Sequence, residues 1–371
     1  NVFVLGCGGV GRALLELVLR RKALGGGGLE VAGVADSSHC LLSKELQGLS
    51  VGAIESIVKK KTAGEGLSAA DEDSLHPLAE GLEHIRAVCA GGGIELVVAD
   101  CTASSTGALL TRFVDAGAGV ALANKRPVTD TMEVWRRLNR TGRLRIESTV
   151  CAGTPVVAAV RRIVSAGDPI AKMAGAFSGT LGYVCSSLEE GRSFSEIVTT
   201  AKGLGYTEPD PRDDLSGTDV ARKALILARL SGASLEMDDV KVESLYPASM
   251  GPEHLSVPEF MAKLSELDEG IKARADAAAA DGKVLRYAAL VENGTCSVGL
   301  QALAKATPLG TLMGSSNLAE IHTQCFTPAP LVLTGAGAGN EITASGVLAD
   351  IFELAPMLST PIEPAPAPAD E

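Results

Sequence analysis

The first 150 residues alternate short apolar runs with amphipathic stretches. An apolar run at 2–5 ends at Gly6, and the stretch RALLELVLRR beyond the next glycines has its apolar residues at helical spacing. Further apolar runs, LEVAGVA, IELVVAD and GVALANK, follow, with a polar, loop-rich region at 45–90 that contains helical patches such as VGAIESIVKKK. Strands separated by helices are typical of a parallel sheet covered on both faces. The pattern predicts an α/β fold, a Rossmann-type doubly wound parallel sheet, for residues 1–150.

The second half of the chain predicts a different sheet. Residues 240–330 contain four apolar runs around one helical stretch at 261–280; the runs are DVKVESLY, VLRYAALV, CSVGLQAL and AEIHTQCF. A mixed sheet covered by helices on one side is expected, in a second α+β domain at 151–330. Residues 331–355 have the pattern of a strand, a glycine-rich turn and a helix that return to the first domain. The proline-rich acidic tail at 356–371 is expected to be disordered.

A glycine pattern at the first strand-to-helix turn indicates a dinucleotide site. Gly6, Gly8 and Gly11 form GxGxxG, in which the first glycine allows the turn, the second lets the backbone approach a pyrophosphate and the third lets the helix pack on the strand. The predicted cofactor-binding set at this turn also includes Gly9 and Val10. A glycine-rich turn without a ligand is the alternative, and the position between a strand and a helix favours the dinucleotide.

The end of the second strand bears on which dinucleotide is bound. Asp36 lies near the place of the acidic residue that binds the ribose hydroxyls of NAD, although slightly later than usual. Ser37, Ser38, His39 and Lys44 follow it and could instead serve the 2′-phosphate of NADP. Plain solvation of a loop explains these residues almost as well, so the sequence leaves the choice between NAD and NADP open.

An acidic stretch at 203–223, GLGYTEPDPRDDLSGTDVARK, contains the candidate chemistry of the second domain. Pro209 and Pro211 exclude a helix in its first half and hold the carboxylates on an extended loop. Ser216, followed three residues later by Asp219, predicts a capped helix start near Gly217. Asp219 and Lys223 then share one helix face. The stretch is either a solvated charge cluster or a polar pocket with a proton-transferring lysine.

The segment GYTEPDPRDDLSGTDVARK resembles the signature of homoserine dehydrogenases. The resemblance implies that Lys223 protonates the aldehyde oxygen of the substrate. It also implies that Glu208 and Asp219 hold the substrate, and that Asp214 belongs to the same substrate site and supports the lysine. Gly205, at the start of the segment, would contact the cofactor.

Other segments resemble motifs of the same family and extend these expectations. Lys125 in ANKRP would be a second catalytic lysine that contacts cofactor and substrate, and Thr102 lies at another strand end, where ligands of such sheets bind. Gly339, in the second glycine-rich turn, would approach the nicotinamide. The residues implied to line the substrate pocket are Ser178, Gly179 and Thr180. Those implied to bind a sodium ion, through one carboxylate and three backbone carbonyls, are Glu147, Val150, Ala152 and Thr154.

Composition excludes several other classes of function. The chain has 371 residues and a formal net charge of −12, so no general attraction to nucleic acid or to an anionic membrane is expected. The eight cysteines show no CxxC pair, which favours a reducing compartment, and no run of about eighteen apolar residues suggests a membrane span. Since the chain starts at Asn1, directly before a strand, it is expected to be a piece of a longer protein without a targeting segment.

The resemblance extends from Gly6 to about Glu353 and implies reversible, NADP- or NAD-dependent reduction of L-aspartate 4-semialdehyde to L-homoserine. Members of the family favour NADP slightly, whereas Asp36 argues for NAD. A homodimer formed through the substrate and dimerisation domain is expected, and fusion to an aspartokinase, because the segments look most like bifunctional members. The compartment would be the cytoplasm in bacteria or the plastid stroma in plants and algae. The alternatives are another NAD(P)-dependent dehydrogenase of amino-acid aldehydes and a non-catalytic dinucleotide sensor.

Overall fold

The apolar runs near the start of the chain form the strands of one seven-stranded sheet in the computed structural model, which describes residues 1–68 and 73–359. Their bounds are β1 (Val2–Leu5), β2 (Val31–Ala35), β3 (His39–Leu42), β4 (Ser74–Pro77), β5 (Val97–Asp100), β6 (Gly119–Leu122) and β7 (Leu144–Arg145). The order across the sheet is β4-β3-β2-β1-β5-β6-β7. Neighbours from β2 to β7 run parallel, which confirms the predicted Rossmann-type arrangement.

One edge of this sheet differs from the purely parallel prediction. β3 runs antiparallel to β2, and β4 runs antiparallel to β3. The reversal follows from a short turn in which Asp36 Oδ1 accepts hydrogen bonds from the backbone N–H groups of Ser38 and His39, both at 2.9 Å. A turn this short can join only antiparallel strands, because a parallel connection needs a dozen or more residues.

Helices follow the strands of the first sheet as the periodicity predicts. They are α1 (Gly9–Ala23), α2 (Val51–Thr62), α3 (Leu78–Ala90), α4 (Gly107–Asp115) and α5 (Met132–Asn139). α2 confirms the predicted helical patch VGAIESIVKKK, whereas α3 and β4 lie in the part of 45–90 that was predicted to be loop-rich, so the described part of this region contains more regular structure than expected. Together with the sheet, these helices belong to a compact unit that comprises Asn1–Gly153 and the segment from Gly339 onward.

A C-terminal helix, Asn340–Leu358, completes the first unit. Its buried residues Val347, Ile351 and Leu354 join the same apolar core as Val2 and Leu14. The helix contains Pro356 in its last turn and ends at Leu358, so order extends beyond the start of the expected disordered tail. Residues 360–371, the rest of that tail, lie outside the described residues.

The second unit, Thr154–Ala338, contains a six-stranded mixed sheet of order β13-β12-β8-β10-β11-β9. Its strands are β8 (Ile170–Ala176), β9 (Lys241–Val242), β10 (Lys283–Glu292), β11 (Thr295–Ala304), β12 (Asn317–Thr323) and β13 (Leu331–Gly335). β9 pairs with β11 in parallel, and the other pairs are antiparallel. β13 pairs with β12, so the strand of the expected return segment lies in this sheet, and only the helix after it packs in the first unit.

The helices of the second unit are α6 (Val156–Ser165), α7 (Gly179–Glu189), α8 (Phe194–Gly203), α9 (Pro211–Leu215), α10 (Thr218–Leu230), α11 (Val257–Lys263), α12 (Asp268–Ala280) and α13 (Pro308–Thr311). The single helix predicted at 261–280 is interrupted by a 3-10 turn at Leu264–Leu267. The bend buries Leu264 and brings Asp268 to the start of α8, where Ser195 N–H donates to its carboxylate at 2.7 Å. In the described ranges, no helix has both the length and the hydropathy needed to cross a membrane.

Substitution of Gly217, which precedes α10, tests how the second unit is packed. Its φ is +73°, and a Cβ on it would lie 1.9 Å from the hydroxyl oxygen of Tyr287. Gly167 has nearly the same φ, +72°, but open space around it. We expect Gly167→Ala to cost about 1–2 kcal/mol through the left-handed backbone alone, and Gly217→Ala to cost about 1–3 kcal/mol more through overpacking. Urea unfolding of both variants measures the difference, and equal losses would contradict the packing described.

Candidate active site

Lys223 is a buried lysine at the centre of the acidic cluster in the second unit. It lies on α10, and its side chain is 9% exposed. Its ammonium donates a hydrogen bond of 2.6 Å to the backbone carbonyl of Phe177, directly after β8, and forms a 2.8 Å ion pair with Asp219. Asp219 is about half exposed, so the ion pair lies where the interior meets solvent. A protonated amine in this place can donate to an oxygen that approaches from the solvent side.

The helix that carries this pair begins differently from the prediction. Gly217, and not Ser216, is the residue before the first turn, and no side chain caps that turn. The Ser216 hydroxyl accepts a hydrogen bond from Thr218 N–H at 3.2 Å and so closes a local turn. The predicted spacing still holds, because Asp219 and Lys223 lie on adjacent turns and form the i,i+4 pair.

The acidic loop is extended only as far as Asp210. Asp210 has φ −100° and ψ 108°, its carboxylate caps the next helix, and Pro211 takes the first position of α9. The prediction of an extended first half missed this short helix. An acidic residue directly before proline is itself a helix-start signal, because proline has the right φ and no N–H to leave unbonded. α9 therefore places Asp214 one turn beyond the loop.

Asp214 connects α9 to the loop that carries Glu208. Its carboxylate accepts a 2.8 Å hydrogen bond from Glu208 N–H. Burial raises the pKa of Asp214 above its ordinary value, and the charges of Glu208 and Asp219 raise it further, although the hydrogen bond from Glu208 N–H acts in the opposite direction. Asp214 is thus hydrogen-bonded to the loop, whereas the ion pair of Lys223 is with Asp219. The Glu208 side chain itself is exposed, so it is available to a ligand.

The start of α7 adds three polar or small residues to this cluster. The Ser178 hydroxyl caps α7 by accepting a hydrogen bond from Leu181 N–H at 3.2 Å, and the Thr180 hydroxyl donates to the Tyr206 carbonyl at 2.6 Å. A Cβ on Gly179 would lie 3.1 Å from the carbonyl oxygen of Ser315, so a larger residue would crowd this turn. Gly205 has φ +72° and leads from α8 into the same loop. The second unit thus brings together its predicted substrate residues.

The glycine turn of the first unit has the shape that a dinucleotide requires. Gly6 has φ +93°, and a Cβ on Gly11 would lie 2.0 Å from the Gly6 carbonyl oxygen, so both positions need glycine. A Cβ on Gly8 would meet no atom within 4 Å, which leaves open space in front of its backbone. Gly9 begins α1 and Val10 follows it, so their N–H groups belong to the helix end that attracts an anion. The residues present therefore fit a bound pyrophosphate.

Asp100, which sequence reasoning missed, organises the strand ends beside this turn. It is fully buried at the end of β5, and its carboxylate accepts hydrogen bonds from Thr102 N–H at 2.9 Å, from the Thr106 hydroxyl at 2.5 Å and from the Asn124 side chain at 3.0 Å. Lys125 follows Asn124 and is half-buried. A buried acid at the carboxyl end of a parallel strand was the available signal. The network fixes the backbone from which Thr102 and Lys125 project.

Asp36 is held by the protein at the end of β2. One carboxylate oxygen accepts from the N–H groups of Ser38 and His39, and the other accepts from Lys61 at 3.0 Å and from Leu67 N–H at 3.3 Å. Burial acts to raise the pKa of Asp36, but these hydrogen bonds and the Lys61 charge outweigh it and lower the pKa from 3.8 to about 2. The carboxylate is therefore ionised at neutral pH and occupied by four donors.

The four residues expected to bind sodium lie in one short segment, 147–154. Glu147 starts a 3-10 turn, and its N–H donates to Asp350 at 2.9 Å. Ala152 has a φ of +52°, unusual for a residue with a side chain, and the carbonyl of Thr154 accepts a 2.7 Å hydrogen bond from Val156 N–H. Across residues 1–68 and 73–359, no group of three or more His, Cys, Asp or Glu side chains is arranged to hold a metal. A site built mainly from carbonyls, such as one including Val150, is a different type and stays a prediction.

Comparison with known proteins gives one consistent family. The family model of homoserine dehydrogenase matches residues 155–352. The chain is 37% identical to a bifunctional aspartokinase/homoserine dehydrogenase of Haemophilus influenzae, over 95% of this chain and 42% of that protein. It is 35% identical to a homoserine dehydrogenase of Saccharomyces cerevisiae, over 96% of this chain and 98% of that protein. The chain thus spans less than half of the fused relative and nearly all of the yeast one.

A solved structure shares the fold over nearly the whole chain. It is a hyperthermophilic archaeal homoserine dehydrogenase in complex with NADPH, with a TM-score of 0.73 and 23% identity, and the match covers 98% of this chain and 99% of that one. The fold of both units therefore has an experimental counterpart.

The charge of Asp36 makes a prediction for stability against pH. Because the folded-state pKa is lowered from 3.8 to about 2, its stabilising contribution is present above pH 4 and is lost as the pH falls towards 2. We expect Asp36→Asn to lower the free energy of unfolding by at most about 2 kcal/mol at pH 6 and by about half of that at pH 3. Urea unfolding at both pH values measures this.

The matched control for Asp36→Asn is Asp276→Asn. Asp276 forms an exposed pair with Lys272 on α12, so its loss should cost less than about 0.5 kcal/mol. An equal effect of the two substitutions, or no effect of Asp36→Asn at pH 6, would show that Asp36 is not held as described.

Proposed function

This chain belongs to the homoserine dehydrogenase family, and from that premise we propose that it interconverts L-aspartate 4-semialdehyde and L-homoserine with NADP or NAD, using Lys223 as general acid and base. The observation that carries the assignment is the buried Lys223, held between Asp219 and the Phe177 carbonyl. An enzyme that reduces an aldehyde needs a proton donor beside the carbonyl oxygen, and a binding module does not. This separates the proposal from a dinucleotide sensor.

Lys223 performs the proton transfer in this proposal. In the direction of reduction, its ammonium donates a proton to the aldehyde oxygen as negative charge develops there; in oxidation, the neutral amine accepts the hydroxyl proton. The Asp219 carboxylate pairs with the ammonium, and the Phe177 carbonyl accepts an N–H in either protonation state, so the amine keeps its position through the cycle. The orientation of one nitrogen is what the protein contributes to this step.

The other polar groups of the second unit hold the amino acid. The exposed Glu208 carboxylate and the half-exposed Asp219 carboxylate suit the cationic amino group that both substrate and product carry. Asp214 fixes the backbone of Glu208, and Ser178, Gly179 and Thr180 line the same cluster. The substrate class proposed is therefore a small α-amino acid with an oxygen on its side chain.

The first unit holds the dinucleotide in this proposal. Gly6, Gly8, Gly9, Val10 and Gly11 would hold its pyrophosphate, and its nicotinamide would supply or take the hydride. Thr102, Lys125 and Gly339 are the further residues of this unit that are assigned to it. The geometry of the turn supports this assignment, because a Cβ on Gly8 would meet no atom within 4 Å, which leaves open space directly before the start of α1.

We propose that NADP is used at least as well as NAD. A carboxylate discriminates against NADP when its free oxygens bind the ribose hydroxyls and repel a 2′-phosphate. A carboxylate has about four acceptor sites, and those of Asp36 are occupied by Ser38, His39, Lys61 and Leu67 donors. Lys61 also offsets the negative charge of Asp36, which lowers the repulsion towards a phosphate.

Sodium and the assembly are proposals that rest on the family. The sodium ligands proposed are Glu147 and the carbonyls of Val150, Ala152 and Thr154, which are hard oxygen donors. A homodimer is proposed for the assembly. One relative is fused to an aspartokinase and another is not, so both arrangements occur among the proteins this chain resembles.

Removal of the lysine amine tests the proposed chemistry. We expect Lys223→Ala to lower kcat for L-homoserine oxidation at least about a hundredfold, the lower range for loss of a general acid or base. The affinity for the dinucleotide should stay unchanged. Lys272→Ala is the matched control, because Lys272 also forms an i,i+4 pair with an aspartate, on the surface of the same unit. Normal turnover by Lys223→Ala would remove Lys223 from the role.

The cofactor proposal makes a separate prediction. With L-homoserine saturating, we expect kcat/KM for NADP to equal or exceed that for NAD, because Asp36 has its oxygens bound within the protein. Parallel assays that follow the absorbance of the reduced nicotinamide give the ratio. A preference for NAD of more than about tenfold, or 1.4 kcal/mol, would show that Asp36 turns to the ribose when the dinucleotide binds.

A further inference from the structure

The loop that carries Glu208 has few apolar contacts of its own. Residues 203–206 and 208–209 are exposed, and the ring of Tyr206 packs edge-on against the ring of Tyr183 on α7, at a centroid distance of 5.3 Å. Loops of this kind keep one conformation only if polar contacts hold them. The position of the Glu208 carboxylate therefore depends on hydrogen bonds and ion pairs around the loop.

Arg212 makes the strongest of these contacts. Its side chain is 4% exposed, and its guanidinium donates to both oxygens of Asp210, from Nε at 2.9 and 3.0 Å and from an Nη at 2.7 Å. Side-on, bidentate arginine–carboxylate contacts fix orientation as well as distance. Asp210 also caps α9 through the Arg212 N–H at 3.0 Å, so the same carboxylate ends the loop and begins the helix.

The other end of the guanidinium is fixed in the body of the second unit. One Nη donates to the Leu255 carbonyl at 2.6 Å and to the Met250 carbonyl at 3.3 Å. The guanidinium also lies 5.2 Å from the centre of the fully buried Phe260 ring on α11. Arg212 thus joins the acidic loop to a segment that shares no residue with the substrate cluster.

We propose that the Arg212–Asp210 pair is a positioning device for the substrate carboxylates. It fixes the start of α9; α9 presents Asp214, and Asp214 accepts the hydrogen bond from Glu208 N–H. Neither Arg212 nor Asp210 contacts the reacting atoms, so both act through Glu208 and Asp214. The inference rests on the proposed function, because it assigns the loop to amino-acid binding.

The test is Asp210→Asn, with Glu236→Gln as the matched control. Asparagine caps a helix as well as aspartate does, so α9 can still begin at the same place while the charged bidentate contact is lost. Glu236 pairs at 2.8 Å with Arg229, a fully buried arginine at the end of α10, and lies outside the loop. Both substitutions weaken a buried arginine–carboxylate pair, so a purely structural role would give similar results.

We expect Asp210→Asn to raise KM for L-homoserine about tenfold, with kcat and the dinucleotide Kd unchanged, because a binding group shared by ground and transition states is misplaced. Hydrogen exchange at the Glu208 amide should become faster. Glu236→Gln should change neither quantity. Wild-type KM and exchange in Asp210→Asn, or an equal KM rise in Glu236→Gln, would overturn the proposal.

The exchange measurement keeps this test separate from the proposed function. If the unaltered chain binds dinucleotide but oxidises no L-homoserine, the proposed function fails. The exchange rates of Glu208 in Asp210→Asn and Glu236→Gln then still decide whether the pair orders the loop.

Discussion

The burial of one ammonium group is the constraint on which the second unit depends. A buried charge is costly unless it is paired and hydrogen-bonded, and Lys223 meets this condition with one carboxylate and one carbonyl. The Phe177 carbonyl is available because β8 ends directly before it, and Asp219 is in reach because α10 begins at Thr218. The same arrangement leaves Asp219 half exposed. A ligand can therefore reach the ion pair from the side of Asp219.

Asp100 has a comparable role in the first unit. Its carboxylate is fully buried and is satisfied by Thr102, Thr106 and Asn124, which come from two neighbouring strand ends. Since these donors need one fixed geometry, the network holds the carboxyl ends of β5 and β6 in place relative to each other. In each unit a buried ionic group, with its partners supplied by the ends of strands and the starts of helices, orders the polar side chains around it.

The sequence predicts those parts of the fold that depend on local pattern. The strand–turn–helix unit from Val2 to Ala23 follows from hydrophobic periodicity and glycine spacing, and the pairing of Asp219 with Lys223 follows from helical geometry. Other features depend on contacts that are distant in sequence. Gly217 replaces the expected cap because Tyr287 occupies the space beside it, and the helix predicted at 261–280 bends where Asp268 reaches Ser195. Periodicity contains no information on either contact.

A crystal structure of the chain with L-homoserine and the dinucleotide tests the central claim most directly, because the claim concerns the position of one nitrogen. The account predicts the homoserine hydroxyl within hydrogen-bond distance, about 3 Å, of Lys223 Nζ, with the amino group at the Glu208 and Asp219 carboxylates. A homoserine bound with its hydroxyl directed away from Lys223, or bound outside this cluster, would contradict it.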